Sequence, residues 1–254
     1  TGTSATNTIT VQPASGTTTV QWMGTVGNNS VGNQYVYSSN TSATVINAFN
    51  PTASNVPIMG VIGTDYLKIN NLNLQYHYTP STPSSGMIIR GLLVSNYSAT
   101  DGATNNTFKG IGVTLNRAQT LTIGIEQNVL AVAPSAAGGA NSTNKYQDFT
   151  IKNAYSGILL TGNASFPDQS CEIGGSACST HATLGDAATS NDIGNGTATT
   201  YGIKALNQAI CKIYYTDVNN VTCTGAGNPA DGIWLENSGP AASVSMGTSE
   251  IYGN

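Results

Sequence analysis

Asp168, Glu172, His181, Asp186 and Asp192 fall within one polar stretch and form the densest set of proton-transfer groups in the chain. Two carboxylates and an imidazole, brought together by a loop that folds back on itself, could act as an acid–base site. The competing reading is a solvated turn in which each charge meets only water. The other acids, among them Asp65, Asp101, Glu126, Asp148, Asp217, Asp231, Glu236 and Glu250, are scattered, and Arg90 and Arg117 stand apart from any acidic group. Polysaccharide cleavage needs acids clustered across neighbouring strands, often with a cation to stabilise developing charge, and no such signature is written here. Catalytic residues are therefore not assigned, and an enzyme is not the expected reading.

Cys171, Cys178, Cys211 and Cys223 are an even set, which in an exported chain reads as disulfides rather than metal ligands. Their spacing does not match a zinc knuckle, and the two histidines, His77 and His181, lie in no ligand-like cluster. Three pairings are open. The local pairs Cys171–Cys178 and Cys211–Cys223 are slightly favoured over a Cys171–Cys211 bridge between stacked strands, where parallel Cβ directions strain the geometry. Gly194-Asn195-Gly196 reads as a turn, since no helix or lysine follows to cradle a phosphate. Neither a metal nor a cofactor is expected.

Aromatic rings beside short polar side chains suit sugar recognition, and Trp234, Tyr214 and Tyr76 are the leading candidates, with Tyr78, Tyr97 and Tyr215 behind them. Trp234 lies between Ile233 and Leu235 in an alternating strand, which turns its ring outward. The bland alternative is a tyrosine ladder that only packs from strand to strand. Asn-x-Ser/Thr acceptors occur at Asn28, Asn40, Asn96, Asn105, Asn141, Asn163, Asn195 and Asn220, and glycan would help keep so uncharged a surface soluble.

These residues must be placed by a repeating scaffold. Gly157-Ile158-Leu159-Leu160, Gly202-Ile203-Lys204-Ala205 and Gly232-Ile233-Trp234-Leu235 share a motif, each followed shortly by asparagine. Between them run short strands around Ile151, Ile173, Ile213 and Ile251, the last three spaced by 40 and 38 residues. Alternation of this kind means stacked units sharing one core, here an all-β solenoid of 38–40 residues per coil. In the run from Asp65 to Leu74, Leu67, Ile69, Leu72 and Leu74 should face inward around a bend. Asn70-Asn71, Asn105-Asn106 and Asn219-Asn220 should form tight corners, because asparagine tolerates left-handed backbone. Polar insertions at 79–86, 133–146 and 176–199 are expected to project as loops.

Only 8% of the 254 residues are charged, with a net charge of −4. Lacking a Lys/Arg cluster to displace counterions, the chain is a poor nucleic-acid partner. No apolar run approaches the ~20 residues of a spanning helix, so membrane insertion is not expected. Regular apolar strands and twelve tyrosines argue for a folded chain rather than a disordered one.

The phrases Ser4-Ala5-Thr6-Asn7-Thr8-Ile9-Thr10-Val11-Gln12, Asp65-Tyr66-Leu67-Lys68-Ile69, Thr104-Asn105-Asn106-Thr107-Phe108 and Val218-Asn219-Asn220-Val221-Thr222 resemble the right-handed parallel β-helix repeats of large secreted bacterial surface proteins, common in Bacteroidota. The resemblance spans most of the chain. It implies a right-handed parallel β-helix and an extracellular address, and it implies no reaction. Residues 1–254 then read as a single β-helix domain within a longer chain, with 1–12 a strand that could be exchanged with or docked on a neighbour. The expected function is an extracellular structural or adhesive module of a surface fibre. Its partners would be copies of itself or surface glycans, and the alternative is a carbohydrate-binding or polysaccharide-degrading β-helix.

Overall fold

The computed structural model describes residues 8–12, 18–22, 37–38, 56–76, 88–118, 122–129, 132–186, 192–196, 199–223, 230–236 and 250–252. Short runs rich in Val, Ile and Thr form strands, and each strand pairs in parallel with the equivalent strand of the next coil. Each coil visits three faces in turn. A typical coil runs through Lys145–Gln147 on the first face, Thr150–Lys152 on the second and Ser156–Thr161 on the third. Stacking gives sheets of seven, seven and six strands, a parallel β-helix. The one exception to parallel order among these strands is Tyr37–Ser38, which pairs antiparallel with Val20 and Gln21 at one end of the second face.

Register is held by apolar ladders. On the first face Ile69, Phe108, Tyr146, Ile173 and Ile213 stack on one another and are fully buried. Ile251 continues the ladder beyond Ile213, so the spacing of Ile173, Ile213 and Ile251 is the coil repeat. Leu74, Val113, Ile151 and Leu184 form the matching ladder of the second face, and Leu92, Ile125, Ile158 and Ile203 that of the third. Ile69, Leu72 and Leu74 are buried, and Leu67 packs against the same core.

The repeated glycine of the motif has a steric cause. Gly91, Gly124, Gly157, Gly202 and Gly232 occupy one rung position on the third face, just before the inward isoleucine or leucine. A Cβ on Gly124 would lie 2.5 Å from Cγ2 of Ile151, and one on Gly157 would lie 2.1 Å from Cδ2 of Leu184. The same added atoms would sit 2.7 Å from the Gly157 carbonyl oxygen and 2.3 Å from that of Gly202. The second face thus closes directly onto the backbone of the third.

Corners repeat as faithfully as strands. Tyr66, Asn105, Thr143, Ser170 and Ile210 each precede a first-face strand at the same rung position, and all have φ between 55° and 63°. Backbone bonds such as Asn105 N–H to Ser142 O (3.0 Å) and Ser170 N–H to Ala209 O (2.9 Å) carry the ladder around the bend. Asn71, Asn105 and Asn220 are left-handed as the sequence predicts. Ile210 is not a residue that tolerates this conformation, and it is held there by the rungs beside it.

Two expectations are corrected. The loop expected over 133–146 is shorter: Ala133, Ser135, Ala137 and Gly138 are exposed, but Ala140, Asn141 and Asn144 are buried, and Lys145–Gln147 is a first-face strand. Residues 176–199 include the second-face strand Ala182–Leu184 and the strand Ile193–Gly196, which pairs with Val221–Cys223. Ile9–Val11 pairs with Leu67–Ile69 and lies at one end of the first face. The insertion at 79–86 lies outside the described residues.

Gly157→Ala should lower unfolding stability by about 2–3 kcal/mol, because the methyl group overlaps backbone that cannot yield. Gly60→Ala, whose Cβ would meet only Cγ of Pro57 at 3.6 Å, should change it by less than about 1 kcal/mol. Paired urea melts measure both; equal effects would contradict the close approach.

Candidate functional site

The five groups expected to form an acid–base site do not meet. Asp168 is fully buried. Glu172 faces Lys145 at 3.1 Å on the neighbouring rung and accepts a hydrogen bond from Tyr214 Oη at 3.0 Å. His181 pairs with Asp217 at 2.8 Å, Asp186 with Lys152 at 2.8 Å, and Asp192 with Arg117 at 2.9 Å. Neither arginine stands alone, since Arg90 lies against Glu126 in a buried pair, and burial brings the guanidinium down to about 10. Lys109–Asp148 and Lys204–Glu236 follow the same pattern at 3.4 and 4.0 Å. Six of the eight Lys and Arg residues (90, 109, 117, 145, 152 and 204) are thus committed to acids on other coils. The sparse charge staples coil to coil. Among the described residues no group of three His, Cys, Asp or Glu side chains could hold a metal ion, and no helix is long and apolar enough to cross a membrane.

Sequence reasoning missed the most unusual ionisable site, a buried amide cluster around Asp168. Gln127 occupies a core ladder position between Val94 and Leu160, where its neighbours are apolar. Its amide nitrogen donates to Asp168 Oδ2 (2.7 Å) and Asn141 O (2.9 Å), and its oxygen accepts from Tyr146 Oη (2.8 Å) and Asn144 Nδ2 (2.9 Å). Asp168 also accepts from the Asn141 backbone N–H (2.8 Å) and from Gln208 Nε2 (3.2 Å). Asn144 in turn accepts from the Asn106 backbone and side chain at 3.0 and 3.1 Å. Burial raises the Asp168 carboxyl to about 6 against three hydrogen bonds that oppose the rise. The cluster is sealed from solvent, so its chemistry is internal: it satisfies polar groups at the corner leading into the first face. The weak clue in sequence is the repeat of buried Asn106 and Asn144 before Thr107 and Lys145.

Cysteines replace asparagine at that rung position in the next two coils. Cys171 and Cys211 are buried one above the other, with Lys212 N–H donating to Cys171 O at 2.9 Å. Burial pushes the Cys171 thiol well up and the Cys211 thiol up to about 12. None of the four cysteines is disulfide-bonded, so the expected bridges are not formed. The reason is directional: Cys171 and Cys211 face the core, Cys178 is exposed on a turn, and Cys223 lies half-buried on a separate small sheet.

The sequons divide as sharply. Asn96 and Asn141 are fully buried, and each spends its amide on backbone carbonyls, Asn96 on Ser98 and Val132 and Asn141 on Asn128, so a glycan on either would have to displace core structure. Asn220 is exposed, and Asn105 and Asn163 are partly so. Asn28 and Asn40 lie outside the described residues, as does the side chain of Asn195.

Of the aromatic candidates, Tyr214 is buried and packs edge-on to Tyr215 at 5.8 Å, which removes it as a sugar platform. The Tyr76 side chain and Tyr78 lie outside the described residues. Tyr97 is exposed on a turn. Trp234 does point outward, 39% exposed, edge-on to Tyr201 at 6.1 Å with Lys204 and Glu236 alongside. It combines an exposed ring with charged neighbours of both signs. No protein-family model, curated protein or solved structure matches this chain.

Because Asp168 holds its proton more tightly folded than unfolded, unfolding releases a proton between about pH 4 and pH 6. Its contribution to stability is therefore greatest near pH 4, falls as pH rises to 6 and is level above that, a change of about 3 kcal/mol. Asp168→Asn should remove this slope. Urea melts of both proteins from pH 4 to 7 check it; parallel curves would contradict a titrating Asp168.

Proposed function

We propose that the chain is an extracellular structural or adhesive module in which β-helix stacks continue end to end, as in a surface fibre or appendage. One observation carries this reading. The first-face ladder that is fully buried from Ile69 to Ile213 is half open at both ends, with Val11 46% and Ile251 49% exposed. A core position left wet, on a strand that ends its described sheet, favours a further β layer on top. A second copy of the chain supplies such a layer in matching register, its Val11 following Ile251 in the ladder. Identical ends joined head to tail do not close on themselves, so the product is a filament.

The use of charge supports the same reading, since the ion pairs lie between coils and bind the stack along its axis. Asn105, Asn163 and Asn220 are the described sequons where glycan would fit such a surface. Carbohydrate binding, the second reading, is favoured at one place, the rung of Trp234.

Ile251→Asp and Val11→Asp should each abolish concentration-dependent assembly in sedimentation velocity while changing the unfolding free energy by no more than about 1 kcal/mol. A wild-type protein that sediments as a monomer at every concentration contradicts end-to-end stacking.

A further inference from the structure

We infer that Trp234, Tyr201, Lys204 and Glu236 form a lateral binding site for one neutral hexose unit of a glycan chain. Gly60, Leu93, Glu126, Leu159, Lys204 and Trp234 share one outward rung position on the third face. Leu93 and Glu126 are buried there, at 1% and 4% exposure, whereas Trp234 at the far end is open.

The indole is held by its neighbours and stays 39% exposed. Tyr201 meets it at 76°, and its Nε1–H donates to Glu236 Oε2 at 3.3 Å. Lys204 Nζ lies 4.7 Å from the Tyr201 centroid, 5.8 Å from that of Trp234 and 4.0 Å from Glu236 Oε2. A ring held this way loses little freedom when a ligand arrives. The flat apolar C–H face of a pyranose covers such a ring, as apolar faces cover aromatic ones elsewhere.

Its hydroxyls both donate and accept, and the site offers one of each partner: ammonium donors on Lys204 and carboxylate acceptors on Glu236. Charge selects against other ligands. Lys204 and Glu236 offset each other, and Asp231 lies in register beside Tyr201, so an anionic sugar meets repulsion. A cationic ligand finds the place over the rings already taken by Lys204.

Titration with cellohexaose, mannohexaose and maltohexaose, followed by tryptophan fluorescence and calorimetry, tests the site, with hexagalacturonate as the charged comparison. At least one neutral oligosaccharide should bind saturably and more tightly than hexagalacturonate. Trp234→Ala should weaken binding at least about tenfold, and Lys204→Ala and Glu236→Gln about three- to tenfold. All three should keep the wild-type urea midpoint. Binding by the non-assembling Ile251→Asp variant is expected too, so failure of axial stacking leaves this result readable. The inference is overturned if none of the three neutral sugars binds, if hexagalacturonate is preferred, or if Trp234→Ala binds like wild type.

Discussion

The close approach of the second and third faces is the constraint on which the rest of this structure depends. Five stacked glycines allow side chains such as Val113, Ile151 and Leu184 to rest directly on the opposing backbone. The cross-section that results is too thin for slack. Each rung must repeat the one before it, so in-register parallel pairing, left-handed corners and single-file apolar ladders follow together. Even Ile210, a β-branched residue at φ 63°, is carried into the corner conformation of its neighbours. The strain is local, and the bonds that offset it belong to the whole stack.

Polar chemistry in this molecule serves the same end. An apolar core this narrow has corners where backbone groups turn inward, and Asn106, Asn144, Gln127 and Asp168 answer them with hydrogen bonds. A buried carboxylate lacking a cation is costly, which shows in its raised proton affinity, and its three donors keep that cost bearable. On the outside, ion pairs link one coil to another. Exposed pairs of this kind each contribute little, about 0–1 kcal/mol, and their value lies in fixing which rung sits beside which.

The architecture was legible in the sequence because it is periodic. The Gly-Ile motif, the isoleucines at 173, 213 and 251 and the asparagine corners each mark a rung, and period needs no knowledge of partners. Side-chain associations were not legible for the complementary reason. Asp168 and Glu172 are neighbours in sequence, yet one turns into the corner and the other out toward Lys145. Cys171 and Cys178 separate in the same manner, which undid the expected local disulfide. Arg117 and Asp192 are 75 residues apart and meet because they lie two coils apart at one corner of the stack, a distance no local pattern encodes. Trp234 was placed correctly because alternation alone sets which side of a strand a residue faces.

Electron cryo-microscopy of the assembled protein tests the central claim most directly, that the stack is continued along its own axis by another copy. The seven described first-face strands, spaced ~4.8 Å apart, predict an axial rise of ~34 Å per copy, with first-face strand density unbroken across each junction. Subunits that meet side by side, or a junction with a gap in the β layers, would contradict it.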